Sequence, residues 1–283
     1  MDAKETITQK IIEALENGTT PWKCPFHRTA YPVNFKTGHN YRGVNMFMLW
    51  LTAMMSGYTT NYFIGFQQAR SLGGHVRRKE SGIQIIVYSP YKKTVINNTT
   101  GAEEEVSRKF FKSDYVFNLD QIEGLKIETE NPEITPIEEI EALVKNTGVF
   151  IRHQGERAYF DNLNDFINMP YRSNFETLEE YYATMFHELI HSTGHKSRIN
   201  RLDISSKEDK AFEELVAELG SAFLCAEYNL PQNIKNTAAY VDSWLASLKK
   251  DTGYIFKASK VATEAIVYLQ NLSIKEQGEK LCA

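Results

Sequence analysis

The sequence predicts an α+β fold, mixed in its first half and mainly helical in its second. Three observations carry that prediction. Strand-type runs rich in β-branched and aromatic residues cluster between 61 and 118; an acid-rich stretch with Asn131-Pro132 and Thr135-Pro136 follows; and from 178 onward apolar residues recur at helical spacing. Taking the elements in order, Ile7, Ile11, Ile12 and Leu15 predict an amphipathic helix over 2–17, stopped by Asn17-Gly18. Residues 45–56 are apolar nearly all round and read as a buried helix closing before Gly57. Strands are expected at 61–66, 83–88, 91–96 and 110–118, with a short helix at 67–72 and an acidic loop at 101–105.

The composition shift at 127–141 suits a linker. Beyond it, 137–147 is helical in pattern, 148–151 and 157–162 are strand candidates, and helices are expected at 178–193, 207–228, 236–250 and 259–276. Thr177 and Glu180 form a capping-box pattern, and Leu178, Tyr182, Met185 and Leu189 share one face of the helix that follows. The organisation expected is a domain over 1–125, a linker over 126–140 and a second domain over 141–283.

With 283 residues, 42% of them hydrophobic and 24% charged, the chain has the composition of a folded globular protein rather than a disordered one. The longest apolar stretch, 44–55, is interrupted by Asn45 and Thr52 and is too short for the ~20 residues of a membrane span. The acidic N-terminus predicts no export signal, and three widely spaced cysteines, Cys24, Cys225 and Cys282, fit a reducing cytoplasm better than a disulfide framework. The net charge of -4 conceals an asymmetry: residues 1–115 carry 15 Lys+Arg against 9 Asp+Glu, and residues 116–283 carry 17 against 27. A basic half joined to an acidic half is expected where the first meets a polyanion and the second does something else.

The acidic half contains His187-Glu188-Leu189-Ile190-His191. Imidazoles four residues apart on a helix lie one turn above each other, so both reach one zinc ion at ~2.0–2.1 Å, and the Glu between them is placed as general base toward a water on the metal. A catalytic zinc takes a third protein ligand and keeps one position open. His195 is a weak source for it, because it follows Gly194, where the helix ends and the chain direction is unset; no His stands at 197, which disfavours the long metzincin pattern. The better source is Glu213-Glu214-Leu215-Val216-Ala217-Glu218 on the next helix. Glu214 is the expected third ligand, as in the gluzincin arrangement, with Glu218 and Glu213 as alternative ligands or as the carboxylate that orients a histidine. Peptide hydrolysis is the reaction that such a site suits. Arg198, Arg201 and Tyr240 could help bind substrate or an oxyanion, but such residues are more often structural surface or packing residues and stay outside the predicted site.

In the basic half, cations sit beside aromatics: Tyr41-Arg42, Tyr91-Lys92-Lys93 and Arg108-Lys109-Phe110-Phe111-Lys112, with Arg77-Arg78-Lys79 between them. Single-stranded nucleic acid is held by that combination, cations following phosphates while bases stack on aromatic faces. Tyr41, Arg42, Arg77, Arg78, Lys79, Lys92, Lys93, Lys109 and Lys112 are therefore the candidate DNA-binding residues.

Pro21-Trp22, Pro32-Val33-Asn34 through Thr37-Gly38, Tyr41 to Asn45, and Tyr115-Val116-Phe117-Asn118 with Gln121 resemble the N-terminal domain of ArdC-type antirestriction proteins. Phe26 and His39 depart from that pattern, standing where a second Trp and a Lys are expected. Met169-Pro170, Tyr181-Tyr182, His187 to Gly194 with Arg198, and Glu213 to Glu218 resemble the zincin-like metallopeptidase domain of the same family. The resemblance runs almost end to end. It implies a protein of conjugative plasmids or related mobile elements, whose first domain binds single-stranded DNA and whose second holds one Zn2+ or another divalent transition metal, protecting incoming DNA from restriction. A host restriction-related protein is the implied peptidase target. The alternative function is a non-catalytic DNA-binding shield in which the zinc is structural.

Overall fold

The computed structural model of the chain describes residues 3–22, 31–96, 103–125, 137–230 and 240–281, and the fold is α+β. Helix α1 (Ala3–Glu16) buries Ile7, Ile11, Ile12 and Leu15, the stripe read from the sequence. Strand β1 (Val33–Asn34) precedes α2 (Val44–Ser56), whose apolar circumference is explained by burial on several sides: Met46, Phe47, Met48, Leu49, Trp50 and Leu51 are all inaccessible. Strand β2 (Tyr62–Gly65) gives way at Phe66 to α3 (Phe66–Ser71), and β3 (His75–Val76) leads to the long strands β4 (Ile83–Ile96) and β5 (Glu103–Asn118). These form a four-stranded sheet of order β1-β2-β5-β4, while β3 pairs with β6 (Ile122–Glu123).

Two local expectations change here. The strands expected at 83–88 and 91–96 are one continuous strand passing through Pro90, and the acids Glu103, Glu104 and Glu105 lie in β5 rather than in a loop. The pairing is local and antiparallel, Ile83 opposite Val116 out to Ile96 opposite Glu103, so ladder bonds override the low strand propensity of glutamate and proline. Proline is tolerated because β4 is the edge strand.

After residues 126–136, which lie outside those described, α4 (Ile137–Asn146) leads to β7 (Phe150–His153), β8 (Tyr159–Asp161) and β9 (Phe166–Met169). They make a small mixed sheet of order β7-β9-β8, with β8 at its edge. Helices α5 (Leu178–Thr193), α6 (Lys207–Glu227), α7 (Val241–Lys250) and α8 (Tyr254–Leu281) complete the chain. Where α5 and α6 cross, Gly220 lies against Ile190; a Cβ there would come within 2.7 Å of that side chain, so the missing side chain is what lets the helices approach.

One continuous core joins the first helices to the last. The Phe47 ring stacks on Phe223 of α6, and Trp22 meets Trp244 of α7 edge to face at 5.3 Å. The Tyr31 hydroxyl donates to the Phe223 carbonyl at 3.1 Å, and the Thr8 hydroxyl donates to the Thr252 carbonyl at 2.8 Å. Two smaller clusters lie against the first sheet, one around Leu49, Phe63, Ile83, Ile85 and Val116, the other around Ile64, Ala69 and Leu119. No helix among the described residues is long and apolar enough to cross a membrane.

Candidate metal centre

Helix α5 begins as its sequence predicts, the Thr177 hydroxyl accepting from the Glu180 amide at 3.1 Å. The reciprocal half of the box differs. The Glu180 carboxylate reaches one residue further, to the Glu176 amide at 3.1 Å, and Leu178, expected on the core face, is 44% exposed. A first-turn residue lies at the rim of the buried stripe, where the helix is not yet covered.

Three turns on, the side chains converge. His187 Nε2 and His191 Nε2 are 3.2 Å apart, and Glu214 Oε2 on α6 lies 3.6 Å from the first and 3.8 Å from the second. Donor atoms around a tetrahedral zinc at ~2.1 Å stand about 3.4 Å apart, so the spacing present already suits one ion. His187, His191 and Glu214 are the group among the described residues whose ligand atoms could share a metal. Glu213 takes a different part: its Oε1 lies 3.1 Å from His191 Nδ1, which leaves Nε2 as the atom that the ring presents to the centre. His187 Nδ1 is buried without a hydrogen-bond partner, so the polar contacts of that ring all lie on its Nε2 side.

The charges agree with this geometry. Burial pushes the His191 imidazole toward its neutral form, but hydrogen bonds to Glu213 and Glu214 and the nearby carboxylate charges outweigh it and raise its proton affinity well above that of an ordinary histidine. Burial likewise opposes ionisation of Glu214, yet its bonds to His187 and His191 hold the carboxyl far below the usual range. The two shifts favour opposite charges on His191 and Glu214, so positive charge is favoured at the point where a divalent ion would supply it.

The cluster opens into a cavity of about 840 Å³. Glu188, 7% exposed, lines it beside the ligands, and Glu218, 4% exposed, lines it from α6 outside the three-atom group. Tyr159 and Phe160 of the edge strand β8 also line the cavity. Two residues left out of the sequence-based site are present. Tyr240 lines the cavity with its hydroxyl 3.3 Å from Glu214 Oε1, and Arg201 bonds Glu213. No spacing rule ties them to the histidines, since Tyr240 lies at the start of α7 and Arg201 in the non-helical segment after α5. His195 stands apart from the centre, with Nδ1 2.7 Å from the Ser197 hydroxyl and 3.3 Å from Asp165.

The candidate DNA-binding residues divide. Arg77, Arg78 and Lys79 are exposed on the turn between β3 and β4, Arg77 pairing with Glu80 at 3.0 Å. Arg42 is exposed and lies over the Tyr31 ring, and Lys112 is exposed on β5 opposite Val87. Tyr41 is corrected: it is 6% exposed, its hydroxyl accepts from the Asn34 side-chain amide at 2.9 Å, and its ring packs toward Phe63, leaving no face for a base. The side chains of Lys92, Lys93 and Lys109 lie outside those described; their backbones pair within the β4–β5 hairpin, opposite Ser107, Val106 and Pro90.

Comparison with known proteins covers both regions. Residues 1–117 match the N-terminal domain of anti-restriction factor ArdC, and residues 138–261 match the zincin-like metallopeptidase family. The chain is 33% identical over 276 residues to the uncharacterized protein y4eC of Sinorhizobium fredii, covering 93% of this chain and 90% of that one. It is 32% identical over 300 residues to an Escherichia coli DNA primase TraC, of which it spans only 28%. Crystal structures of the antirestriction protein ArdC from plasmid R388 superpose at TM-score 0.81 for the metal-free form, at 38% identity over 97% of this chain and 99% of that one, and at 0.79 for the Mn(II)-bound form, at 37% identity over 96% and 98%. With both regions matched in order and a solved relative covered end to end, the chain belongs to the ArdC antirestriction family.

Proposed function

We propose that this chain is a cytoplasmic antirestriction factor of a mobile element that binds single-stranded DNA through its N-terminal region and hydrolyses a peptide bond of a host restriction-related protein at its metal centre. The observation that carries the reading is the opening of the His187, His191 and Glu214 cluster onto a cavity with Glu188 in its wall. A purely structural zinc is closed by four protein ligands, whereas three ligands facing a cavity suit catalysis. That favours the enzyme over a DNA-binding shield.

His187, His191 and Glu214 would hold the ion, zinc being the natural choice for two imidazoles and a carboxylate, with Mn(II) the ion bound by the solved relative. A divalent ion there supplies Lewis acidity toward water and a carbonyl oxygen. The rest falls to the chain. Glu188 takes the proton from water entering the cavity and later returns it to the departing amine. Among the described residues β8 is an edge strand, and its outer edge offers main-chain groups to an extended peptide, which is why a peptide is the substrate class that fits. Glu213 and Tyr240 hold His191 and Glu214 in the orientation they need.

The DNA-binding part of the reading rests on register. From Val87 opposite Lys112 to Lys93 opposite Val106, seven consecutive pairs bring together Lys92, Lys93, Arg108, Lys109 and Lys112 with Tyr88, Tyr91, Phe110 and Phe111, and no acid. Strand β2 pairs with β5 only at Val116–Asn118, so among the described residues this stretch of ribbon carries no third strand. A two-stranded basic ribbon suits a flexible polyanion.

Glu188→Gln tests the whole proposal. It should keep metal and DNA affinity while lowering hydrolysis by ~10²–10⁴-fold, and antirestriction in a plasmid-transfer assay should fall with it. Full protection by this variant with metal bound would transfer the function to the shield.

A further inference from the structure

Gly194 ends α5, and the chain then folds back so that Arg201 lies across the end of the helix that carries both histidines. A side chain at 194 would forbid this: a Cβ there would stand 2.6 Å from Leu202 and 3.1 Å from Arg201. The returning guanidinium is mostly buried and uses all three nitrogens. Nη2 donates to the Ile190 carbonyl at 2.6 Å and to Glu213 Oε1 at 2.8 Å, Nε donates to Glu213 Oε2 at 3.1 Å, and Nη1 donates to the Thr193 hydroxyl at 2.5 Å. Both oxygens of Glu213 are therefore held by one planar fork, and Oε1 is the oxygen that faces His191 Nδ1 at 3.1 Å.

We propose that Arg201 is a positioning residue of the metal centre, acting through Glu213 to fix the rotation of His191 and tying α5 to α6 so that two imidazoles and Glu214 meet at one point. Arg201 does not line the cavity, so its effect reaches the centre by the relay Arg201, Glu213, His191. A rigid bidentate fork is required. Lysine carries the charge but has no second planar donor to hold a carboxylate in one orientation. Carboxylates that orient a metal-bound histidine are worth about 10–100-fold in metal affinity, and Arg201 should command a comparable share because it bonds both oxygens of that carboxylate.

The inference rests on the metal reading, and the experiment separates the two. Zn(II) affinity is measured by chelator competition on the full-length chain for the wild type, Arg201→Ala, Arg201→Lys, Glu213→Gln and Arg201→Ala/Glu213→Gln, with His187→Ala as the control that removes a ligand. The wild type should bind one equivalent, His187→Ala should lose it, and Arg201→Ala should bind about 10–100-fold more weakly. Arg201→Lys should recover only part of that loss. Because Arg201 acts through Glu213, the double variant should lose no more than the weaker-binding single variant, whereas independent structural damage would add. In the Co(II)-loaded protein, the paramagnetically shifted Nδ1 proton of His191 should be sharp in the wild type and broadened by solvent exchange in Arg201→Lys, a signature that general loss of stability does not produce. Wild-type affinity in Arg201→Ala, or additive losses in the double variant, would overturn the Arg201 role alone; absence of metal from the wild type would overturn the centre and this role with it.

Discussion

The rings of Phe47 and Phe223 stack at 5.1 Å with their planes 19° apart, so α6, which presents Glu214 to the metal centre from its first half, is packed by its second half against α2 of the N-terminal region. The two regions matched by separate families are thus built on a common core. Phe47→Ala should destabilise the whole chain by about 3–5 kcal/mol, the usual cost of emptying a buried aromatic site, and should lower one cooperative melting transition rather than one of two. A variant that melts in two steps, with the metal-dependent step unmoved, would refute the shared core.

The metal centre predicts its own stoichiometry. Elemental analysis should find about one equivalent of a divalent metal in the purified protein, lost from the His187→Ala/His191→Ala double variant. Glu214→Ala should weaken binding more than Glu213→Ala, because Glu214 contributes an atom to the cluster and Glu213 acts through His191. The opposite order would exchange the roles of the two glutamates.

Metal binding should release a proton. In the metal-free protein the carboxylates of Glu213 and Glu214 overcome burial and raise the pKa of His191, which favours its protonated form at neutral pH. A metal ion needs Nε2 free, and binding must expel that proton. Apparent affinity should therefore rise with pH through the neutral range and fall on acidification. Calorimetry in buffers of different ionisation enthalpy measures the release directly; equal heats in every buffer would contradict the assignment.

For DNA, affinity for a single-stranded oligonucleotide should fall steeply with salt as counterions are released, with little sequence preference. Replacing Lys92, Lys93, Lys109 and Lys112 with alanine should flatten the log–log slope by about 0.7 for each phosphate left without its cation. The Arg77→Ala/Arg78→Ala/Lys79→Ala variant should flatten it less, because Arg77 is already paired with Glu80. Anisotropy across a salt series gives both slopes, and a hairpin variant with the wild-type slope would remove the ribbon from the interface.

Features that depend on local period and spacing were legible before any fold was known. Ile7, Ile11, Ile12 and Leu15 gave the face of α1, Thr177 gave the start of α5, and His187 and His191, four residues apart, had to share one helical face with Glu188 beside them. The β-branched run at 83–88 announced a strand, but where it ended depended on its partner: pairing with β5 carries it through Pro90 to Ile96. Glu214 was the expected choice among three candidate glutamates of α6, and the packing of α6 against α5, close enough at Gly220 to touch Ile190, places its carboxylate beside both histidines and that of Glu213 behind His191. Tertiary structure decided that Tyr41 is core and Leu178 is rim, since burial depends on what covers a residue and not on its own pattern. Arg201 reaches Glu213 from the non-helical segment after α5, which has no period to read, and Tyr240 reaches Glu214 from the start of α7, a helix whose own pattern does not say what it packs against.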